Sequence, residues 1–262
     1  MTRAAESVRC GGVALNEASG ETAKSLRHLL SLRAAGQSLR VLNRAPWVAE
    51  LPGQGHIECM TSGSRGKPKV IRRIYASWER SFEVNRDLFN LGAEDRAAVF
   101  GTLGASLTLY GLLETLHAGA GAEVLTGMQP DHQAARLEAV GVSVLYATPT
   151  QLRLLPSDRV LSGVRLILCG GGGLDGVTAE CVQTIFPNAI FREFYGASET
   201  SFITLSDEDT PEGLVARAYP DVTIEIRNIS DGVGEVWVKS PPISSKDTRK
   251  ARVSRRAATA SS

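Results

Sequence analysis

From Ile57 onward, short continuous apolar runs alternate with segments of helical period, and that alternation predicts most of the architecture. Continuous runs mark strands buried on both faces, whereas a 3.6-residue period marks helices lying on them. A strand is predicted over 70–75, then a helix from Ser77 to about Leu91, with Ser77 as its cap and Glu79 in its first turn. Residues 97–100 form a short apolar run, and 107–118 are apolar almost all round, as in a buried helix. Strands are predicted over 122–125, 142–147, 164–169 and 189–194. Between them fall helices at 130–140, opened by Pro130 and closed by Gly141, and at 174–186, stopping before Pro187. The fold class expected is α/β: parallel sheets in two stacked layers with flanking helices.

The two ends of the chain read differently. Residues 1–56 are mixed, with one helix predicted over 22–35 and ended by Gly36. After Glu199, the stretches 201–205, 222–227 and 234–239 alternate like short half-buried strands between Asp/Gly turns, predicting a partial antiparallel β-subdomain. Residues 244–262 carry Lys246, Arg249, Lys250, Arg252, Arg255 and Arg256 among Ser, Ala and Thr, a composition expected to be disordered. The organisation expected is therefore an N-terminal segment over 1–56, an α/β core over 57–200, a β-subdomain over 201–243 and a basic tail.

Composition narrows the partners. Of 262 residues, 43% are hydrophobic and 22% charged, and the net charge of +1 gives no global attraction to nucleic acid or membrane. The basic tail has no aromatic residue on which bases could stack. The four cysteines (Cys10, Cys59, Cys169, Cys181) form no C-x-x-C pair, so reduced, buried thiols are expected rather than a metal or redox centre. No apolar run reaches the length of a membrane span, and the N-terminus, with Arg3 and Glu6, has no signal-peptide core. A cytoplasmic location is expected.

Three segments carry chemistry. Thr61-Ser62-Gly63-Ser64-Arg65-Gly66-Lys67-Pro68-Lys69 combines glycines, hydroxyls and cations after an apolar strand. Backbone N–H groups, hydroxyls and ammonium groups are what a polyphosphate requires. Pro68 follows Gly66-Lys67 where the common P-loop needs Ser or Thr, so that loop type is disfavoured. The second segment, Tyr195-Gly196-Ala197-Ser198-Glu199, ends a predicted strand, where open α/β sheets bind ligands. Tyr195 offers a flat face, Gly196 close backbone approach, Ser198 a hydroxyl for a phosphate and Glu199 a hard oxygen suited to Mg²⁺. The third is a strand entering a helix through Gly170, Gly171, Gly172 and Gly173. Gly171, Gly173 and Gly176 also satisfy G-x-G-x-x-G, which keeps a dinucleotide-binding oxidoreductase open as an alternative.

Taken together and in order, these segments resemble the acyl/aryl-adenylate-forming enzymes, which include acyl-CoA synthetases and nonribosomal peptide adenylation domains. Residues 61–69 look like that family's T-S-G-[ST]-T-G-x-P-K loop, 170–174 like its G-G-x-x-L segment, and 195–199 like its Y-G-x-[TS]-E motif. The turn Ala147-Thr148-Pro149-Thr150-Gln151-Leu152 and the late strand Gly234-Glu235-Val236-Trp237-Val238 agree as well, so the resemblance spans roughly 57–243. It implies activation of a carboxylic acid with ATP and Mg²⁺, then transfer to coenzyme A or a carrier-protein phosphopantetheine. Thr61, Ser62, Ser64 and Lys69, with the N–H groups of Gly63 and Gly66, would hold the β- and γ-phosphates. Gly171 and Gly172 would lie by adenine, Tyr195 and Gly196 would pack on it, Ser198 would touch the α-phosphate and Glu199 would hold Mg²⁺. Thr61, Lys69 and Glu199 are the expected catalytic residues.

The sequence departs from the pattern at Arg65 and Val70, where the family has Thr/Ser and Gly, and in lacking a histidine over 100–108. It also ends before the family's T-G-D segment and lysine-bearing domain, and 1–56 is short for the family. The expectation is a truncated member, weak or inactive alone, or a non-catalytic nucleotide-binding remnant. A separately encoded C-terminal domain or an acyl carrier protein would be its partner.

Overall fold

The computed structural model describes residues 6–42, 44–61, 69–210, 217–230 and 233–239. Its first half runs β1 (Val8–Cys10), β2 (Val13–Ala14), α1 (Gly20–Ala34), β3 (Gln37–Val41), β4 (Val48–Gln54), β5 (His56–Thr61), β6 (Lys69–Ile74) and α2 (Tyr75–Phe89). There follow β7 (Arg96–Val99), α3 (Ser106–His117), β8 (Gly121–Val124), α4 (Pro130–Ala139), β9 (Val144–Ala147) and α5 (Pro149–Arg153). The last elements are β10 (Leu166–Gly170), α6 (Gly176–Ile185), β11 (Ile190–Ala197), β12 (Ser201–Leu205), β13 (Arg217–Ala218), β14 (Thr223–Ser230) and β15 (Val233–Lys239).

Nine strands form one sheet in the order β13-β12-β11-β10-β9-β7-β8-β1-β2, parallel from β11 through β1. The period-two geometry of a strand sends successive side chains to opposite faces. Here both faces are apolar, which is why these strands read as continuous runs. Ala97, Val99, Val144, Tyr146, Leu166 and Leu168 enter one core, while Ala98, Phe100, Leu145, Ala147, Ile167 and Cys169 enter the other. The second core is closed by α4, α5 and α6 through Ala134, Leu137, Leu152, Val182 and Ile185. The first is closed by α1, α2 and α3, and beyond them by a four-stranded sheet ordered β4-β3-β5-β6. The expected two-layered α/β fold is therefore present, with β14 and β15 pairing as a separate antiparallel hairpin.

Several expected elements are placed differently. The mixed N-terminal segment holds β1 to β4 besides its helix, and β1 docks parallel to β8, pairing Val8 with Ala122. That docking sets Arg9 beside the fully buried Glu123, which Arg96 and Arg136 also approach at 3.4 and 3.3 Å. Residues 201–205 extend the nine-stranded sheet antiparallel to β11, instead of joining β14 and β15. The short turn after β11 allows only a hairpin return, and its apolar Phe202 and Ile203 are buried there. Ser77 is not the cap of α2: the helix starts at Tyr75, and the Ser77 hydroxyl donates to the Ile74 carbonyl at 2.7 Å. The expected basic tail lies outside the described residues.

Candidate nucleotide site

The parallel strands carry their C-terminal ends to one edge of the large sheet. At β7 the chain changes its direction of winding, since β8 lies on one side of it and β9 on the other. Ligands collect outside such strand ends. The turns found there are those after β7, β9, β10 and β11, and the last three hold the expected motif residues.

After β9, Thr148 caps α5 by accepting from the Gln151 N–H, and Gln151 accepts from the Thr148 N–H, a reciprocal box with Pro149 in the first turn. After β10, Gly170 has no room for a side chain, because a Cβ there would stand 2.3 Å from the Phe194 ring. Gly171 takes φ of +89°, open to glycine, and a Cβ on it would meet Thr148 at 3.5 Å. The glycine run thus lies against the Thr148–Pro149 turn and leads to Asp175, whose carboxylate accepts the Thr178 N–H and caps α6.

Near the end of β11, Tyr195 and Gly196 flank an irregularity in the pairing with β12. A Cβ on Gly196 would lie 2.3 Å from the Ser201 carbonyl oxygen. The glycine is required by the hairpin's own backbone, a reason distinct from the ligand approach suggested by sequence. Ser198 and Glu199 follow in the tight connection, whose Thr200 N–H donates to the Ala197 carbonyl at 3.0 Å. Arg73, on β6, donates to the Ser198 carbonyl at 3.1 Å and so ties the neighbouring sheet to this turn. Nothing in the sequence marked Arg73: next to Arg72 in a predicted strand it looks like a surface charge, and only the fold turns it inward. A cleft of about 240 Å³ opens beside Thr200, lined by Arg73, Ser77, Arg80, Phe202 and Tyr219 among others.

Of the residues expected to bind phosphate, Ser62, Gly63, Ser64 and Gly66 lie outside the described residues. The residues on either side are described: β5 and β6 pair antiparallel up to Thr61 opposite Lys69. Among the described residues no cluster of three His, Cys, Asp or Glu could hold a metal unaided. Glu199 is a single carboxylate at the turn, which fits Mg²⁺ because that ion is commonly held by one or two carboxylates plus substrate phosphates. The four cysteines are free; Cys59 and Cys169 are buried as expected, each pushed up to about 12 by desolvation, whereas Cys10 and Cys181 are only half-buried.

A mostly parallel sheet with a glycine turn and a Tyr-Gly-x-Ser-Glu turn on adjacent strand ends is the arrangement of a nucleotide-handling α/β core. Comparison with known proteins makes this specific. Residues 52–246 match the family of AMP-binding enzymes, and the chain belongs to that family. It is 32% identical over 192 residues to an uncharacterized acyl-CoA ligase, YhfT, of Bacillus subtilis, covering 69% of this chain and 40% of that one. A putative long chain fatty acid-CoA ligase, VraA, of Staphylococcus epidermidis is 28% identical over 187 residues, again 69% of this chain and 40% of the relative. The chain thus spans about 40% of the length of these relatives. In fold it is similar to IdnL7, with a TM-score of 0.64 at 20% identity over 78% of this chain and 45% of that one. It is also similar to the Vibrio cholerae adenylation domain AlmE, with a TM-score of 0.57 at 23% identity over 70% and 38%. Family membership leaves the dinucleotide-binding alternative without support, and the glycine run belongs to an AMP-binding core.

Proposed function

We propose that this chain binds ATP and activates a carboxylic acid as its acyl-adenylate, within an acid–thiol ligase. The observation that carries the reading is the adjacency of two turns. The Gly170–Gly173 run and the 195–199 motif leave neighbouring parallel strands, β10 and β11, in a chain of the AMP-binding family.

In the reaction, a carboxylate oxygen forms a bond to the α-phosphorus of ATP while the bond from that phosphorus to the bridging oxygen breaks. Pyrophosphate carries away the displaced electron pair, and the acid is left as a mixed anhydride with AMP. The work left to the protein is orientation and charge neutralisation. Thr61, Ser62, Ser64 and Lys69, with the Gly63 and Gly66 N–H groups, are assigned to the β- and γ-phosphates. Gly171 and Gly172 are assigned to the adenine side, Tyr195 and Gly196 to its face, and Ser198 to the α-phosphate. Glu199 would hold Mg²⁺, which when bound offsets phosphate charge. A thiol of coenzyme A or of a carrier-protein phosphopantetheine is the proposed acceptor. A lysine-bearing partner domain, encoded in the same or a separate polypeptide, would complete the transfer. A cytoplasmic location is proposed on the same footing; among the described residues no helix is long and apolar enough to cross a membrane.

The test is ATP–pyrophosphate exchange with a panel of acids. Exchange with one acid class is the expected result, and exchange with none would reject adenylation by this chain. Binding of ATP without exchange would instead identify a nucleotide-binding protein that needs its partner domain to react.

A further inference from the structure

Arg73 occupies a position that the strand pattern reserves for an apolar side chain. Along β6, Val70, Arg72 and Ile74 are exposed while Ile71 and Arg73 face inward, and Arg73 is only 2% exposed. Its cross-strand neighbour is Ile57, itself fully buried. A guanidinium carries five N–H donors, and burying one without partners is costly. Here one terminal nitrogen donates to the Ser198 carbonyl and the other to the Ser77 hydroxyl, each at 3.1 Å. The Nε–H is buried with no hydrogen-bond partner among the described residues. Burial lowers the group to about 10, and it stays cationic at neutral pH.

An apolar side chain would fill this place with no orphaned donor, so packing alone does not explain the arginine. What it does uniquely is join two parts of the site separated by 125 residues. It stands four residues beyond Lys69, at the root of the phosphate loop, and grips the backbone of the motif that bears Ser198 and Glu199. Lys would lack the planar fork that reaches a carbonyl and a hydroxyl together.

We propose that Arg73 is a positioning residue for nucleotide binding: by holding the Ser198 carbonyl, it presents the Ser198 hydroxyl and the Glu199 carboxylate to Mg²⁺-ATP. This rests on the adenylation reading above.

The experiment is calorimetric titration of the full chain with ATP at saturating Mg²⁺, at limiting Mg²⁺ and in EDTA, for wild type, Arg73→Lys and Arg73→Met. Thermal unfolding is followed on each protein. Losing one charge-assisted hydrogen bond from the turn should raise the Mg²⁺ needed for half-maximal ATP binding about tenfold. Affinity in EDTA, which reports the Ser198 contact without Glu199, should fall by less than affinity at saturating Mg²⁺, and Arg73→Lys should be less impaired than Arg73→Met. An Mg²⁺ requirement that both variants leave untouched overturns the inference while the adenylation reading stands. So does a loss of affinity equal with and without Mg²⁺, or failure of both variants to fold. Failure of the wild type to bind ATP overturns the adenylation reading itself.

Discussion

Glu114 is the buried group whose removal has the most calculable consequence. It sits on α3, fully buried, and all its hydrogen-bond partners are neutral. Tyr146 donates to it at 2.5 Å, Asn85 at 2.8 Å and Tyr110 at 3.1 Å. Asn85 in turn accepts from the Tyr219 hydroxyl at 2.7 Å, linking the network to the segment after β13. Desolvation dominates, and the three donors only partly offset it, so the carboxyl is pushed up from 4.5 to about 7. The native state therefore holds a proton that the unfolded chain has released between about pH 4.5 and 7. Stability from this group is fully present below pH 4.5 and is lost as pH rises through 7. Its size, from the displacement and the free energy per pH unit, is about 3 kcal/mol. Gln is uncharged and nearly isosteric, so Glu114→Gln should remove that dependence. Urea unfolding of both proteins from pH 5 to pH 8 measures it. The wild type should lose stability relative to Glu114→Gln by about 2–3 kcal/mol across this range. A difference independent of pH, or one of opposite sign, would refute the reasoning.

Two further outcomes follow from close contacts, and a third from the proposed phosphate site. Gly111→Ala places a methyl 2.5 Å from the Tyr146 ring, and overpacking of about 1–3 kcal/mol should exceed the helix gain of about 1 kcal/mol. Its melting temperature should fall; a rise would show that α3 can shift away from β9. Gly196→Ala drives a Cβ to 2.3 Å from the Ser201 carbonyl, which can yield only if β11 and β12 separate. The protein should lose about 2 kcal/mol or more together with ATP binding, and a variant that binds ATP normally would contradict the hairpin argument. Lys69→Ala should slow ATP–pyrophosphate exchange about 10²–10³-fold, as expected for loss of one charge-stabilising donor, and an unchanged rate would remove Lys69 from the phosphate site.

Much of this fold is legible along the chain because buried parallel strands must be apolar on both faces. Leu145, Tyr146, Ile167 and Leu168 announce their strands without help from any partner. Gly170, Gly171 and Gly196 are legible for a related reason, since turns at strand ends need residues with unusual backbone freedom or none of their own bulk. By contrast, Val8-Arg9-Cys10 has too little apolar length to be read as a strand, and it becomes one through pairing with Ala122, Glu123 and Val124 on one side and with β2 on the other. Arg73, Glu114 and Glu123 look like ordinary surface charges in the sequence. Their most distant partners are Ser198, Tyr146 and Arg9 respectively, far away along the chain.

The sequence by itself determined the alternating α/β body, the order of the three chemical segments and the family resemblance they carry. Each depends on local composition and periodicity, which act within a few residues. Tertiary structure alone decided the strand order, the capture of β12 by the large sheet and the burial of Arg73 behind the 195–199 turn. Those depend on which distant groups meet once water is excluded. A buried charge is tolerated only where the folded chain brings it partners, and no local pattern encodes that meeting.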